Sequence, residues 1–241
     1  MSGISHFSFG DSDGGIGGKV KPWKADAGRT YRLSFLWWKG LDDGVLDLDA
    51  KNPQFAGGLT NFIPNVGYIV NKGPEYTKIA GGEAGRMRIA TIVAIWPTDK
   101  NGQVDKSALA RGDIEVLPWV ISGDKYNYLK NTNNEFPFGG HDITAACTDA
   151  QFQKMTFTPC RESLLKSLLG NPKAKEITDT LIAKAQSIAG NINDHIGREM
   201  TIQQIRDKLA GGGGGGGGSV SPVDTMASGD VDSMVDNLLD S

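Results

Sequence analysis

The segment RMRIATIVAIWPT, residues 86–98, constrains the fold more than any other part of the chain. Met87, Ile89, Thr91, Val93 and Ile95 alternate with Arg86, Arg88, Ala90, Ile92, Ala94 and Trp96. A period of two sorts side chains onto the opposite faces of an extended strand, so this is the most strand-like stretch in the sequence. One face reads as core, and the other carries arginine and tryptophan.

A second strand, RTYRLSFLWWKG, repeats that division. Tyr31, Leu33, Phe35 and Trp37 make an apolar face; Thr30, Arg32, Ser34 and Trp38 make a basic and aromatic one. The stretch NPQFAGGLTN is rich in turn formers and reads as a loop. NVGYIVNKG and EYTKIAGG then read as short strands in a hairpin about Gly73-Pro74. DKNGQVDKSALARGD reads as a polar connection to the strand DIEVLPWVIS, after which Ser122 caps a short helix through GDKYNYLKNT. DITAACT and FQKMTFTPC supply the last strands.

From Arg161 the pattern turns helical. Leu164, Leu165, Leu168 and Leu169 form one stripe, with Gly170 as the C-cap. Asn171 and Pro172 open a second helix, and Thr201 with Gln204 forms a capping box for a third. The expected class is α+β: a small OB-fold-like β-barrel with added C-terminal helices and disordered termini. Its expected organisation is a glycine-rich basic arm (1–28), the barrel (29–160) and a helical extension (161–210), then a polyglycine linker (211–219) and an acidic tail (220–241).

Enzyme signatures are missing. The sequence has no Walker-type phosphate loop, no dinucleotide fingerprint, no H-E-x-x-H and no G-x-S-x-G. GGIGGK follows no strand and opens no helix. His6, His141 and His195 sit beside no nucleophile. Cys147 and Cys160 are too few for a disulfide framework and, with His141, lack the short cysteine pair of a zinc site. Asp42, Asp43, Asp47 and Asp49 lack the calcium-loop spacing. The expectation is therefore a non-catalytic protein with no metal and no cofactor. No apolar run approaches the roughly 20 residues that span a bilayer, and no signal peptide opens the chain, so a cytoplasmic protein without a membrane partner is expected.

Basic residues interleaved with aromatics are what the sequence does offer. Arg32, Trp38, Lys39, Arg86, Arg88 and Trp96 are the candidate nucleic-acid-binding set on two strands, and Lys72, Tyr76 and Lys78 extend it. Cations follow the phosphates of a single strand while flat rings stack on its unpaired bases, faces that a duplex hides. Single-stranded DNA is the expected partner; an RNA-binding or chaperone module and a protein–protein adaptor are the other readings.

In the order of its elements, the chain resembles the single-stranded DNA-binding proteins of bacteriophages, of the T-even helix-destabilising type. The similarity runs over residues 29–160 and rests on RMRIATIVAIWPT, a polar insertion, IEVLPWVIS, GDKYNYLKNT and HDITAACTDAQFQKMTFTP. It implies an OB barrel that coats replication and recombination intermediates in the host cytoplasm and recruits proteins through its tail. The clustered Cys and His of the T-even zinc subdomain have no counterpart here.

The tail itself holds Asp224, Asp230, Asp232, Asp236 and Asp240 and no basic residue; removing those five leaves 23 acidic residues against 25 basic ones. Val231, Met234, Val235, Leu238 and Leu239 fall at the spacing of one helix face. Asp232, Met234, Val235, Asp236, Leu238, Leu239 and Asp240 are thus expected both to compete with DNA for the basic groove and to dock partners.

Overall fold

The computed structural model describes residues 20–36, 55–149 and 154–210. Seven strands form one antiparallel sheet: β1 (Thr30–Leu36), β2 (Ala56–Ile63), β3 (Gly67–Val70), β4 (Arg86–Trp96), β5 (Glu115–Ser122), β6 (Ile143–Asp149) and β7 (Lys154–Pro159). Six α-helices and two 3-10 helices (Pro172–Ala174, capped by Asn171, and Ile192–His195) accompany it among the described residues: α1 (Pro74–Ile79), α2 (Lys106–Ala110), α3 (Gly123–Glu135), α4 (Leu164–Leu169), α5 (Lys175–Ala189) and α6 (Ile202–Ala210). No described helix is long and apolar enough to cross a membrane.

The strand with the clearest alternation organises the sheet. Along one edge of β4, β2 pairs with Arg86–Ala90 and β1 with Ile92–Trp96, end to end; β5 takes the opposite edge from Arg88 to Ile95. β3 extends β2, while β6 and β7 extend β1, giving the order β3-β2-β4-β1-β6-β7 with β5 attached to β4. The expected closure into a barrel is not there: β5 and β7 share no ladder, although Trp119 and Phe157 meet across the gap at 5.8 Å.

Both faces of this sheet are covered. On one face Tyr31, Leu33, Phe35, Ile89, Val93, Trp119 and Ile143 form an aromatic core with Leu129 of α3. Trp23 lies in it between Tyr31 and Trp119, and its backbone N–H donates to the Pro118 carbonyl, so residues 20–28 pack on the sheet instead of belonging to a free arm. On the other face Leu36, Ala90, Ile92, Ala94 and Trp96 meet Leu165 of α4 and Leu181, Ala185 and Ile188 of α5. Ala90 and Ala94 leave room for a helix to approach the strand closely. A third, smaller core joins Ile63 and Ile69 of the β2–β3 hairpin to Tyr76 and to Ile205 of α6.

Two local readings change. NPQFAGGLTN is largely strand β2. Its glycines pair with β4, and a Cβ on either would make only an ordinary packing contact, 3.4 Å from Ile89 Cγ1 at Gly57 and 3.6 Å from Ile196 Cγ2 at Gly58. The hairpin turns at Asn65, which takes a left-handed φ of 65°, and not at Gly73-Pro74. There Pro74 opens helix α1, because its fixed φ and missing N–H suit a first helical turn. The caps agree with the sequence. Ser122 accepts the Lys125 N–H, and Thr201 and Gln204 exchange two hydrogen bonds of 2.8 and 3.2 Å.

Because Leu181 is 2% exposed where α5 meets the sheet, Leu181→Ala is expected to cost about 2–5 kcal/mol, read as a lower urea midpoint at unchanged slope.

Candidate nucleic-acid interface

The basic and aromatic face expected to bind DNA is, along most of its length, the seat of the α4–α5 layer. Trp96 is 1% exposed, and its indole N–H donates to Ser34 Oγ at 2.8 Å. It is a core residue, not a stacking surface, because α5 supplies the apolar cover that a lone strand lacks. Arg32 is also committed: Nε donates to Asp142 Oδ2 at 2.8 Å and Nη2 to the Glu162 carbonyl at 2.9 Å.

Asp142 is fully buried, and its side chain and backbone are both hydrogen-bonded. Besides Arg32 it accepts from the Ser34 hydroxyl and from the Leu164 backbone N–H at 2.9 Å, while its own carbonyl accepts the Cys160 N–H. Burial pushes its carboxyl above the usual aspartate range; the Ser34, Leu164 and Arg32 contacts pull the other way without cancelling it. Arg32, Ser34, Trp96 and Asp142 thus form a polar bracket from β1 and β4 through β6 to the start of α4.

The second cluster is dispersed as well. Lys72 pairs with Glu199 at 3.0 Å, and the Tyr76 hydroxyl donates to the Met200 carbonyl at 2.9 Å while its ring packs in the third core. Both are explained by the segment before α6, which runs along β3. Lys78 is exposed in the last turn of α1. Trp38, Lys39 and the tail residues Asp232, Met234, Val235, Asp236, Leu238, Leu239 and Asp240 lie outside the described residues.

Arg86 and Arg88 remain at the end of β4 beyond the helical layer. Arg86 is exposed; Arg88 is half-buried, with burial lowering its guanidinium from the usual value. The Arg88 guanidinium lies 3.7 Å from the centre of the Tyr68 ring, and Nη2 donates to the His195 carbonyl at 3.3 Å. Arginine stays charged under such burial. Tyr68 faces Phe62 directly across the hairpin, with ring centres 5.1 Å apart. Phe62 is 50% exposed and Tyr68 37%, an aromatic pair left in solvent on a short two-stranded ribbon.

The ribbon is braced from its free edge. The Arg198 N–H donates to the Tyr68 carbonyl at 2.9 Å, and the Val70 N–H to the Arg198 carbonyl at 3.0 Å. Gly197 permits this approach: a Cβ there would lie 3.2 Å from Thr60 Cγ2 and 3.3 Å from the β3 backbone. The site therefore joins one expected residue, Arg88, to two that sequence reasoning missed. The signal was the symmetric placement of Phe62 and Tyr68 about IPNVG, hidden when the glycines at 57 and 58 made β2 read as a loop.

Among the described residues no group of three His, Cys, Asp or Glu side chains is placed to hold a metal. Comparisons with protein-family models, with curated proteins and with solved structures return no match.

Removing the Asp142 carboxylate strands the Arg32 guanidinium and two further donors, so Asp142→Ala is expected to lose about 3–5 kcal/mol of stability. Since the folded-state pKa is raised, the folded chain holds the extra proton. The contribution is fullest below the ordinary aspartate value and declines as pH rises through the folded-state one. A carboxyl ¹³C titration should find Asp142 above that ordinary value and Asp105, drawn down by its Ser107 hydrogen bond, below it.

Proposed function

We propose that this protein binds single-stranded DNA without catalysis and with little sequence preference. The observation that carries the reading is the exposed Phe62–Tyr68 ring pair with the Arg88 guanidinium held against Tyr68. Each ring offers a flat face to an unpaired base, and Arg86 and Arg88 supply charge for the backbone. The two rings side by side form an apolar surface that a bound base can cover.

In this reading the sheet is an open relative of the OB barrel, and the hairpin is its binding edge. The setting would be a phage-type system of replication and recombination, in which the acidic tail competes for the arginines and recruits partner proteins. The same exposed rings also suit an adaptor that binds another protein, and the same stacking would accept RNA, because it does not depend on the sugar.

Fluorescence anisotropy with labelled oligothymidine tests the proposal. Phe62→Ala and Tyr68→Ala should each weaken binding by roughly 5- to 150-fold, the equivalent of about 1–3 kcal/mol per stacked base. Log affinity should fall against log salt with a slope near −0.7 per phosphate neutralised. Equal affinity for blunt duplex, or indifference to both ring substitutions, would defeat the reading. Oligothymidine that leaves the signal unmoved favours the adaptor, and a matched RNA strand that outcompetes DNA favours the RNA module.

A further inference from the structure

A second concave site lies far from the hairpin, between α3 and the start of β2. The cavity has a volume of about 350 Å³, within the range of small-molecule sites, and is lined by Phe55, Tyr126, Leu129, Lys130, Asn134 and Phe138, with Asn133 beside them. Phe55 and Tyr126 meet edge to face at 5.1 Å. Phe55 leans on Phe35 at 5.9 Å, and Phe35 stacks on Phe138 at 4.6 Å. The walls are therefore set by the aromatic core beneath them. Asn133, 7% exposed, fixes the far side by accepting the Phe138 N–H at 3.0 Å.

What distinguishes this cavity is its polar inventory. Tyr126, Asn134 and Lys130 are among its lining residues, the last two solvent-exposed, and their side chains make no hydrogen bond or ion pair among the described residues, which leaves a hydroxyl, a carboxamide and an ammonium open to a ligand. Aromatic walls select a flat ring. A carboxamide and a hydroxyl, which both donate and accept, select a ring whose edge carries both functions. A lysine adds a site for an anion. Nucleotides have all three features.

We propose that this cavity binds a nucleotide through its base, with Phe55 and Tyr126 against the ring, Asn134 and the Tyr126 hydroxyl on its edge, and Lys130 on its phosphate. The base comes either from a free nucleotide or from a strand already on the protein. Phe55 precedes β2 and Phe62 lies near its end, about 23 Å away at 3.3 Å per residue, so one mononucleotide cannot touch both sites. The pocket thus stands or falls separately from the hairpin.

The test uses the full chain, labelled with ¹⁵N and titrated with thymidine monophosphate and deoxyadenosine monophosphate, with ribose 5-phosphate as the base-free control. The expected result is a saturable shift of amides in 126–138 with either nucleotide and none with the control. Asn134→Ala and Tyr126→Ala should each weaken the nucleotide by about tenfold, the scale of one lost hydrogen bond or stacking contact. Tyr126→Phe, which keeps the wall and removes only the hydroxyl, separates edge recognition from packing, and Phe62→Ala should change nothing. No saturable shift, an equal response to ribose 5-phosphate, or shifts confined to Phe62 and Tyr68 would overturn the proposal. Titration with oligothymidine then assigns the source. If the same amides move, the pocket receives a base of a bound strand; if they stay while the mononucleotides move them, its ligand is the free nucleotide.

Discussion

A carboxylate without solvent sets the terms for this molecule. Asp142 is completely buried between the sheet and the start of α4, where an unpaired charge would be untenable. Arg32, Ser34 and the Leu164 backbone N–H satisfy it, and Trp96 in turn donates to Ser34. These partners come from β1, from β4 and from the first residue of α4. The helical layer consequently has one register against the sheet, because sliding it would remove a hydrogen bond from a group that water cannot reach.

Once that layer is docked, the location of any binding surface follows. The sheet is apolar on both faces, with Trp23 and α3 on one and α4 with α5 on the other. Where the layer runs out, at the β2–β3 ribbon, aromatic rings and an arginine meet solvent together. α6 and Tyr76 support the ribbon from behind through Ile63 and Ile69, and the Arg198 backbone holds its outer edge. Rigid support is what lets a small two-stranded ribbon, marginal alone, present a defined pair of rings.

Much of the framework could be read from local pattern. The alternation of β1 and β4 placed Leu33, Phe35, Ile89 and Val93 in one core, as observed. Ser122, Asn171 and the Thr201–Gln204 box marked helix starts, because a cap is a local hydrogen bond between neighbours in sequence. The errors arose where a residue answers to a distant partner. Gly57 and Gly58 lower strand propensity, yet they sit in β2 because the strand pairs along β4, with Gly57 opposite Ile89 and Gly58 opposite Arg88. Gly73-Pro74 has the composition of a turn, and only the hydrogen bonding that follows makes it a helix start.

The sequence by itself determined that this is an α+β chain with alternating strands, an aromatic core face and capped C-terminal helices. These follow from periodicity and short-range hydrogen bonding, which one segment specifies alone. Only the tertiary structure decided what the second face of those strands is for. Alternation states that two faces differ and is silent on what covers each. Ala90 and Ala94 admitted α5, so Trp96 became part of the interior, and Arg32 was tied to the buried Asp142. A hairpin pairing, hidden in the sequence when Gly57 and Gly58 made β2 read as a loop, brought Phe62 and Tyr68 into contact beside Arg88.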